Sequence, residues 1–229
     1  MTNPIFVAVD TTDLAEAKTR AGQLAGAVGG IKLGLEFFIA HGPDGIRAVM
    51  QECPGLPLFL DLKLHDIPNT VAGGVRAAAA LKPRYLTIHT SGGPAMMRAA
   101  ADEAAKFGAS RPRLLGVTVL TSLAEDDLAA VGFARRAMNE QVEAMAKLAK
   151  ANGLDGVICS PHEVAGLRRA MGADFVLMVP GVRPAGSDAG DQKRVMTPAD
   201  AMKAGATHLV IGRPICQAAD PVAAAQLAD

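Results

Sequence analysis

Eight short apolar runs recur along the 229 residues, at 5–9, 31–34, 56–63, 84–89, 113–120, 156–159, 175–179 and 207–211. Stretches with helical spacing of apolar residues lie between them, at 13–27, 35–40 with 43–52, 69–81, 94–107, 123–131 with 138–152, 162–170 and 197–204, and a last one starts near Pro221. This alternation favours a parallel sheet covered by helices, and the count of eight favours closure into a (β/α)8 barrel. No linker or shift in composition divides the chain, so the expectation is one barrel domain over 1–229. A doubly wound open sheet is the alternative. Against it, Asp10-Thr-Thr-Asp follows the first run where a dinucleotide fold would carry its glycine fingerprint.

Composition narrows the function classes. Half the residues are apolar but only 3% are aromatic, which suits a packed core of Ala, Val, Leu, Ile and Met and not a stacking surface for bases. Lys plus Arg equals Asp plus Glu at 23 each, so no overall field draws nucleic acid or an anionic membrane, and neither partner is expected. Cys53, Cys159 and Cys216 are far apart and in no metal-binding spacing, which argues against a disulfide framework or structural zinc. Cys159 reads as a small core residue. The N-terminal segment has no basic stretch followed by a long apolar one, and no run reaches the ~18 to 20 apolar residues of a membrane span. A soluble, cytoplasmic protein is expected.

In a barrel of this kind the active site lies where the strands end, so the residue that stops each run is a candidate. Those residues are Asp10, Lys32, Asp61 with Lys63, His89, Thr118 or Thr121, Ser160, Arg183 and Arg213. Asp61 and Lys63 are two positions apart; if strand geometry continues, they project from one face and hold each other charged. Asp66 lies beyond the strand and need not join them within one chain. Charges converging on one rim cost the fold unless they are paired, which favours a functional site over solvation. The seventh and eighth runs lead into Pro180-Gly-Val-Arg183 and Ile211-Gly-Arg213. An arginine fork beside a glycine suits a phosphate dianion, and barrels often bind phosphate at these two loops. The long polar loop 184–192 reads as a lid over that phosphate. His65 and His89 have no metal-spaced partner and read as structural.

The chain resembles the bacterial orotidine 5′-monophosphate decarboxylases almost end to end. The resemblance rests on Phe6-Val-Ala-Val-Asp10, Ile31-Lys-Leu-Gly34, Asp61-Leu-Lys-Leu-His-Asp-Ile-Pro-Asn-Thr70, Val117-Thr-Val-Leu-Thr-Ser122, Pro180-Gly-Val-Arg-Pro184, Gly190-Asp-Gln192 and Val210-Ile-Gly-Arg-Pro214. It implies a barrel enzyme using neither metal nor cofactor. By that resemblance Asp10 and Lys32 bind ribose hydroxyls, and Lys32, Asp61, Lys63 and Asp66 form a charged relay in which Lys63 donates the proton to C6 of the pyrimidine. Thr121 or Ser122 contacts the ring, and Gln192, Gly212 and Arg213 grip the phosphate with Arg183 nearby. It also implies a homodimer, with Asp66 and Thr70 reaching into the neighbouring subunit's site.

Two rivals are set against this. Keto-sugar phosphate decarboxylases and hexulose phosphate synthases share an Asp-x-Lys-x-x-Asp arrangement but use magnesium; the Ile-Pro-Asn-Thr70 continuation and Gln192 favour the orotidine enzymes. A non-catalytic nucleotide-binding barrel would not need Asp61, Lys63 and Asp66 together.

Overall fold

The computed structural model describes residues 3–183 and 196–227. Its eight strands are Ile5–Ala8 (β1), Gly30–Gly34 (β2), Leu58–Leu64 (β3), Tyr85–His89 (β4), Arg113–Val117 (β5), Gly156–Ile158 (β6), Val176–Pro180 (β7) and His208–Ile211 (β8). Each pairs in parallel with the next, and β1 pairs with both β2 and β8, so the sheet closes into the expected barrel. The helices are Leu14–Leu24 (α1), Leu35–Glu52 (α2), Pro68–Ala79 (α3), Gly93–Ala105 (α4), Glu125–Ala130 (α5), Met138–Ala151 (α6), Val164–Met171 (α7), Pro198–Ala204 (α8), Arg213–Cys216 (α9) and Pro221–Leu227 (α10).

Local chemistry sets the element ends. Asp13 caps α1 by accepting a hydrogen bond from the Glu16 N–H, and Thr197 caps α8 by accepting from Asp200. The two helical pieces read at 35–40 and 43–52 form one run kinked at Gly42, whose φ of 57° is followed by Pro43. The strand expected over 113–120 ends at Val117. Its neighbour β6 stops at Ile158, and the Ile158 carbonyl accepts from the Thr118 hydroxyl at 2.8 Å instead of extending the ladder.

Strand parity divides the core into two shells. Ile5, Val7, Ile31, Leu33, Leu60, Leu86 and Ile88 face outward into the layer under the helices. Phe6, Ala8, Phe59, Tyr85, Leu115, Val176, Met178 and Val210 fill the barrel interior. Phe6, Tyr85 and His208 pack edge to face at the floor, where the Tyr85 hydroxyl meets His208 Nε2 at 2.8 Å. Gly30 is required there, because a Cβ at that position would lie 2.2 Å from the Phe6 ring. On the β1 to β4 side, the interior positions nearer the strand ends carry polar residues.

Among the described residues, no helix is long and apolar enough to cross a membrane.

Candidate active site

The next inward positions along β1, β2 and β3 are Asp10, Lys32 and Asp61, so parity alone aims three charged side chains into the open end of the barrel. They form a chain of alternating sign. Lys32 Nζ lies 3.1 Å from Asp10 Oδ1 and 3.8 Å from Asp61 Oδ2, and Lys63 Nζ donates to the same Asp61 oxygen at 2.8 Å. Lys32 and Asp61 are each only 9% exposed, so each charge needs its neighbour. Burial alone would raise the Asp61 carboxyl. The Lys32 and Lys63 ammoniums, with hydrogen bonds from Lys63 and Thr87, outweigh it and hold the group below its ordinary value.

The Asp61–Lys63 pair forms as expected, but not by continued strand geometry. Lys63 has φ 49°, one of two non-glycine residues with positive φ among the described residues, and the β3–β4 register slips between Leu60 and Leu64. Thr87 of β4, which sequence reasoning passed over, faces this slip. Its hydroxyl accepts from the Lys63 N–H at 2.9 Å and donates to Asp61 Oδ1 at 2.8 Å.

The ammonium of Lys63 opens on a cavity of about 290 Å³ at the strand ends. Ala8, Phe59, Val117, Ile158 and Val210 give it an apolar floor and wall, with the Asp10–Lys63 charges on one side. Gly181, Arg183, Gly212 and Arg213 line it from the loops after β7 and β8, and Thr121 lines it from the loop after β5. A polar rim, an apolar wall and a cationic end define a site for an anionic, partly apolar small molecule. A Cβ added at Gly212 would meet only the methyl and carbonyl of Ala8, the nearer at 3.4 Å, so packing at this position does not demand a glycine. The loop after β7 starts from a closed base, with Val182 bridged to Met196 and the Arg183 N–H donating to the Met196 carbonyl at 3.0 Å. Gln192 and the lid read over 184–192 lie outside the described residues.

Other sequence candidates are placed differently. Asp66 is exposed, and its carboxylate accepts from the Ile67 N–H at 2.6 Å. It makes no ion pair with Lys63 within the chain among the described residues, and Thr70, also exposed, does not line the cavity. Ser122 is exposed and outside the lining, which leaves Thr121 as the one of that pair facing the cavity. Thr118 spends its hydroxyl on Ile158, and the buried Ser160 donates its N–H to Glu163. His89 lies beside the His65 ring at 5.3 Å; burial first, then His65 and Lys63, lower its imidazole against an opposing pull from Asp61. Cys159 is buried as expected, yet it also lines the cavity. Among the described residues, no group of three or more His, Cys, Asp or Glu is gathered as a metal site.

The fold and this site define a (β/α)8 barrel with a cavity for an anionic small molecule at its strand ends. A profile of the Orotidine 5′-phosphate decarboxylase / HUMPS family matches residues 3–228, and the chain belongs to that family. It is 53% identical over 229 residues to an orotidine 5′-phosphate decarboxylase of Paramagnetospirillum magneticum, covering 98% of this chain and 96% of the relative. It is 52% identical to the enzyme of that name from Rhodospirillum rubrum, covering 98% and 92%. A crystal structure of orotidine 5′-phosphate decarboxylase from Lactobacillus acidophilus superposes with a TM-score of 0.84 at 40% identity, over 99% of this chain and 97% of that one.

Proposed function

We propose that the protein is a single-domain, cytoplasmic enzyme that decarboxylates orotidine 5′-phosphate to uridine 5′-phosphate and CO2, the last step of de novo pyrimidine nucleotide synthesis. The observation that carries this is the Asp10–Lys32–Asp61–Lys63 chain, which ends with an ammonium at the wall of a cavity that Arg183 and Arg213 also line. Breaking the bond from C6 to the carboxylate leaves the electron pair on C6 in the plane of the ring, where no adjacent π-system takes it up. The Lys63 ammonium stabilises that developing charge and then gives C6 its proton; the resulting amine regains a proton from solvent. Asp61 fixes the ammonium and stands near the substrate carboxylate, where its repulsion destabilises the ground state. The paired Asp10 and Lys32 hold the ribose hydroxyls, and Thr121 contacts the pyrimidine.

Arg213, with the Gly212 backbone and Arg183 nearby, binds the phosphate; the part given to Gln192 rests on the family resemblance alone. Phosphate binding away from C6 then supplies energy that is expressed in the chemical step. Asp66 and Thr70 complete the site of a second copy in a homodimer. Their exposure supports this, as does Ile67 between them, an apolar side chain left 66% exposed.

The charges also favour a metal-free route over the magnesium-dependent one. Asp61 already has ammoniums at 2.8 and 3.8 Å, and a divalent cation would have to displace or repel them. The test offers purified protein orotidine 5′-phosphate in excess EDTA. Stoichiometric uridine 5′-phosphate and CO2 are expected. No conversion, with magnesium-dependent turnover of a keto-sugar phosphate instead, would overturn the assignment.

A further inference from the structure

We propose that Thr87 is a positioning residue that aims the Lys63 ammonium, by bridging the Lys63 backbone N–H and the Asp61 carboxylate with one hydroxyl. This rests on the reading of Lys63 as the proton donor. Leu60 pairs with Leu86 and Leu64 with Ile88, so Asp61, Leu62 and Lys63 together stand opposite Thr87 alone. Residues in such a slip lose their ladder partners, and Lys63 is also held at φ 49°, a conformation an L-residue rarely keeps unaided. The Thr87 hydroxyl supplies the missing acceptor at 2.9 Å from the Lys63 nitrogen.

A hydroxyl has one proton to give, and Thr87 directs it to Asp61 Oδ1 at 2.8 Å. The other Asp61 oxygen takes the Lys63 ammonium at 2.8 Å. Main chain and side chain of Lys63 are thus tied to the same carboxylate and hydroxyl, in a closed ring of three hydrogen bonds. Thr87 is fully buried and lines no part of the cavity, so it acts on a bound ligand only through Asp61 and Lys63.

Valine keeps the shape of Thr87 and removes the hydroxyl, leaving a buried N–H unpaired and a carboxylate oxygen one donor short. Misplacing a reacting group by about 1 Å can cost on the order of 100-fold in rate. Steady-state kinetics on orotidine 5′-phosphate should show Thr87→Val with kcat down about 100-fold and KM within about threefold of wild type. Thr87→Ser, which restores the hydroxyl, should return kcat to within about threefold. Thr87→Cys differs from Thr87→Ser in one atom and donates poorly, so that pair carries the test if Thr87→Val does not fold. A wild-type kcat in Thr87→Val or Thr87→Cys, or a Thr87→Ser variant as slow as they are, overturns the proposal. Lys63→Ala is measured in parallel: if it turns over normally, the proton-donor reading itself has failed, whereas a dead Lys63→Ala beside a normal Thr87→Val removes only the role of Thr87.

Discussion

Asp61 and Lys63 meet at 2.8 Å within β3 although the strand is irregular there: Lys63 has φ 49° and β3 has slipped against β4. A regular strand would also have put both residues on one face. The slip gives the lysine a second tether, from its backbone N–H to Thr87, while its ammonium faces the cavity. The site is therefore built by a local departure from the sheet that the rest of the barrel enforces.

Arg213→Ala should weaken the phosphate end of the site. Losing one partner of a charged hydrogen-bonded pair costs on the order of 2 to 4 kcal/mol, or about 30- to 1,000-fold in the Kd of uridine 5′-phosphate. Binding of uridine, which has no phosphate, should be nearly unchanged. Calorimetric titration of both ligands checks this, and equal losses for the two would remove the phosphate role.

Reliance of each site on a second copy predicts complementation. Lys63→Ala and Asp66→Ala should each be inactive alone. Mixed and allowed to exchange subunits, they should recover about a quarter of wild-type activity, because half the dimers are mixed and each of those holds one intact site. Sedimentation velocity run alongside should show dimers. A mixture with no gain in activity, from chains shown to exchange, would contradict the shared site.

Stability should fall on mild acidification. Burial first lowers the His208 imidazole to about 4; the Pro4 backbone opposes the shift, and Arg113 and Arg84 add to it. The unfolded chain binds this proton near pH 6.5 and the folded chain only near 4, so stability is complete above 6.5 and is lost as pH falls through that window. The loss from His208 amounts to at most about 3 kcal/mol. His89, lowered in the same direction, adds to it. Asp61 acts in a more acidic range: its contribution is full above the ordinary carboxylate value and is lost as pH falls from there through its depressed value. Urea unfolding from pH 7.5 to 4.5 should show the decline, and His208→Gln should flatten it, since an amide offers the Tyr85 hydroxyl both an acceptor and a donor but does not titrate in this range.

Much of this site was legible in the sequence because barrel strands have a fixed parity. Once the runs were placed, Asp10, Lys32 and Asp61 had to point inward near the ends, and the arginines after β7 and β8 had to flank the same opening. Thr87 was not legible, since a hydroxyl that bonds to another strand leaves no periodicity of its own. Its signal was a polar residue on the inward parity of an otherwise apolar run, Tyr85-Leu86-Thr87-Ile88. The left-handed turn at Lys63 was hidden for a different reason: lysine carries no preference for φ above zero, and the slip that demands it arises only when β3 meets β4. For Cys159 the apolar run shows only a core residue, because burial and cavity lining look the same in such a run.

The most direct measurement of the central claim is the ultraviolet absorbance change on adding orotidine 5′-phosphate, in excess EDTA, to the wild-type protein and to Lys63→Ala. Wild-type protein should convert the substrate rapidly, and Lys63→Ala, shown by circular dichroism to be folded, should be slower by on the order of 10⁴-fold or more. Comparable rates from the two proteins would contradict the account, because the proton and the stabilising charge would then come from somewhere other than Lys63.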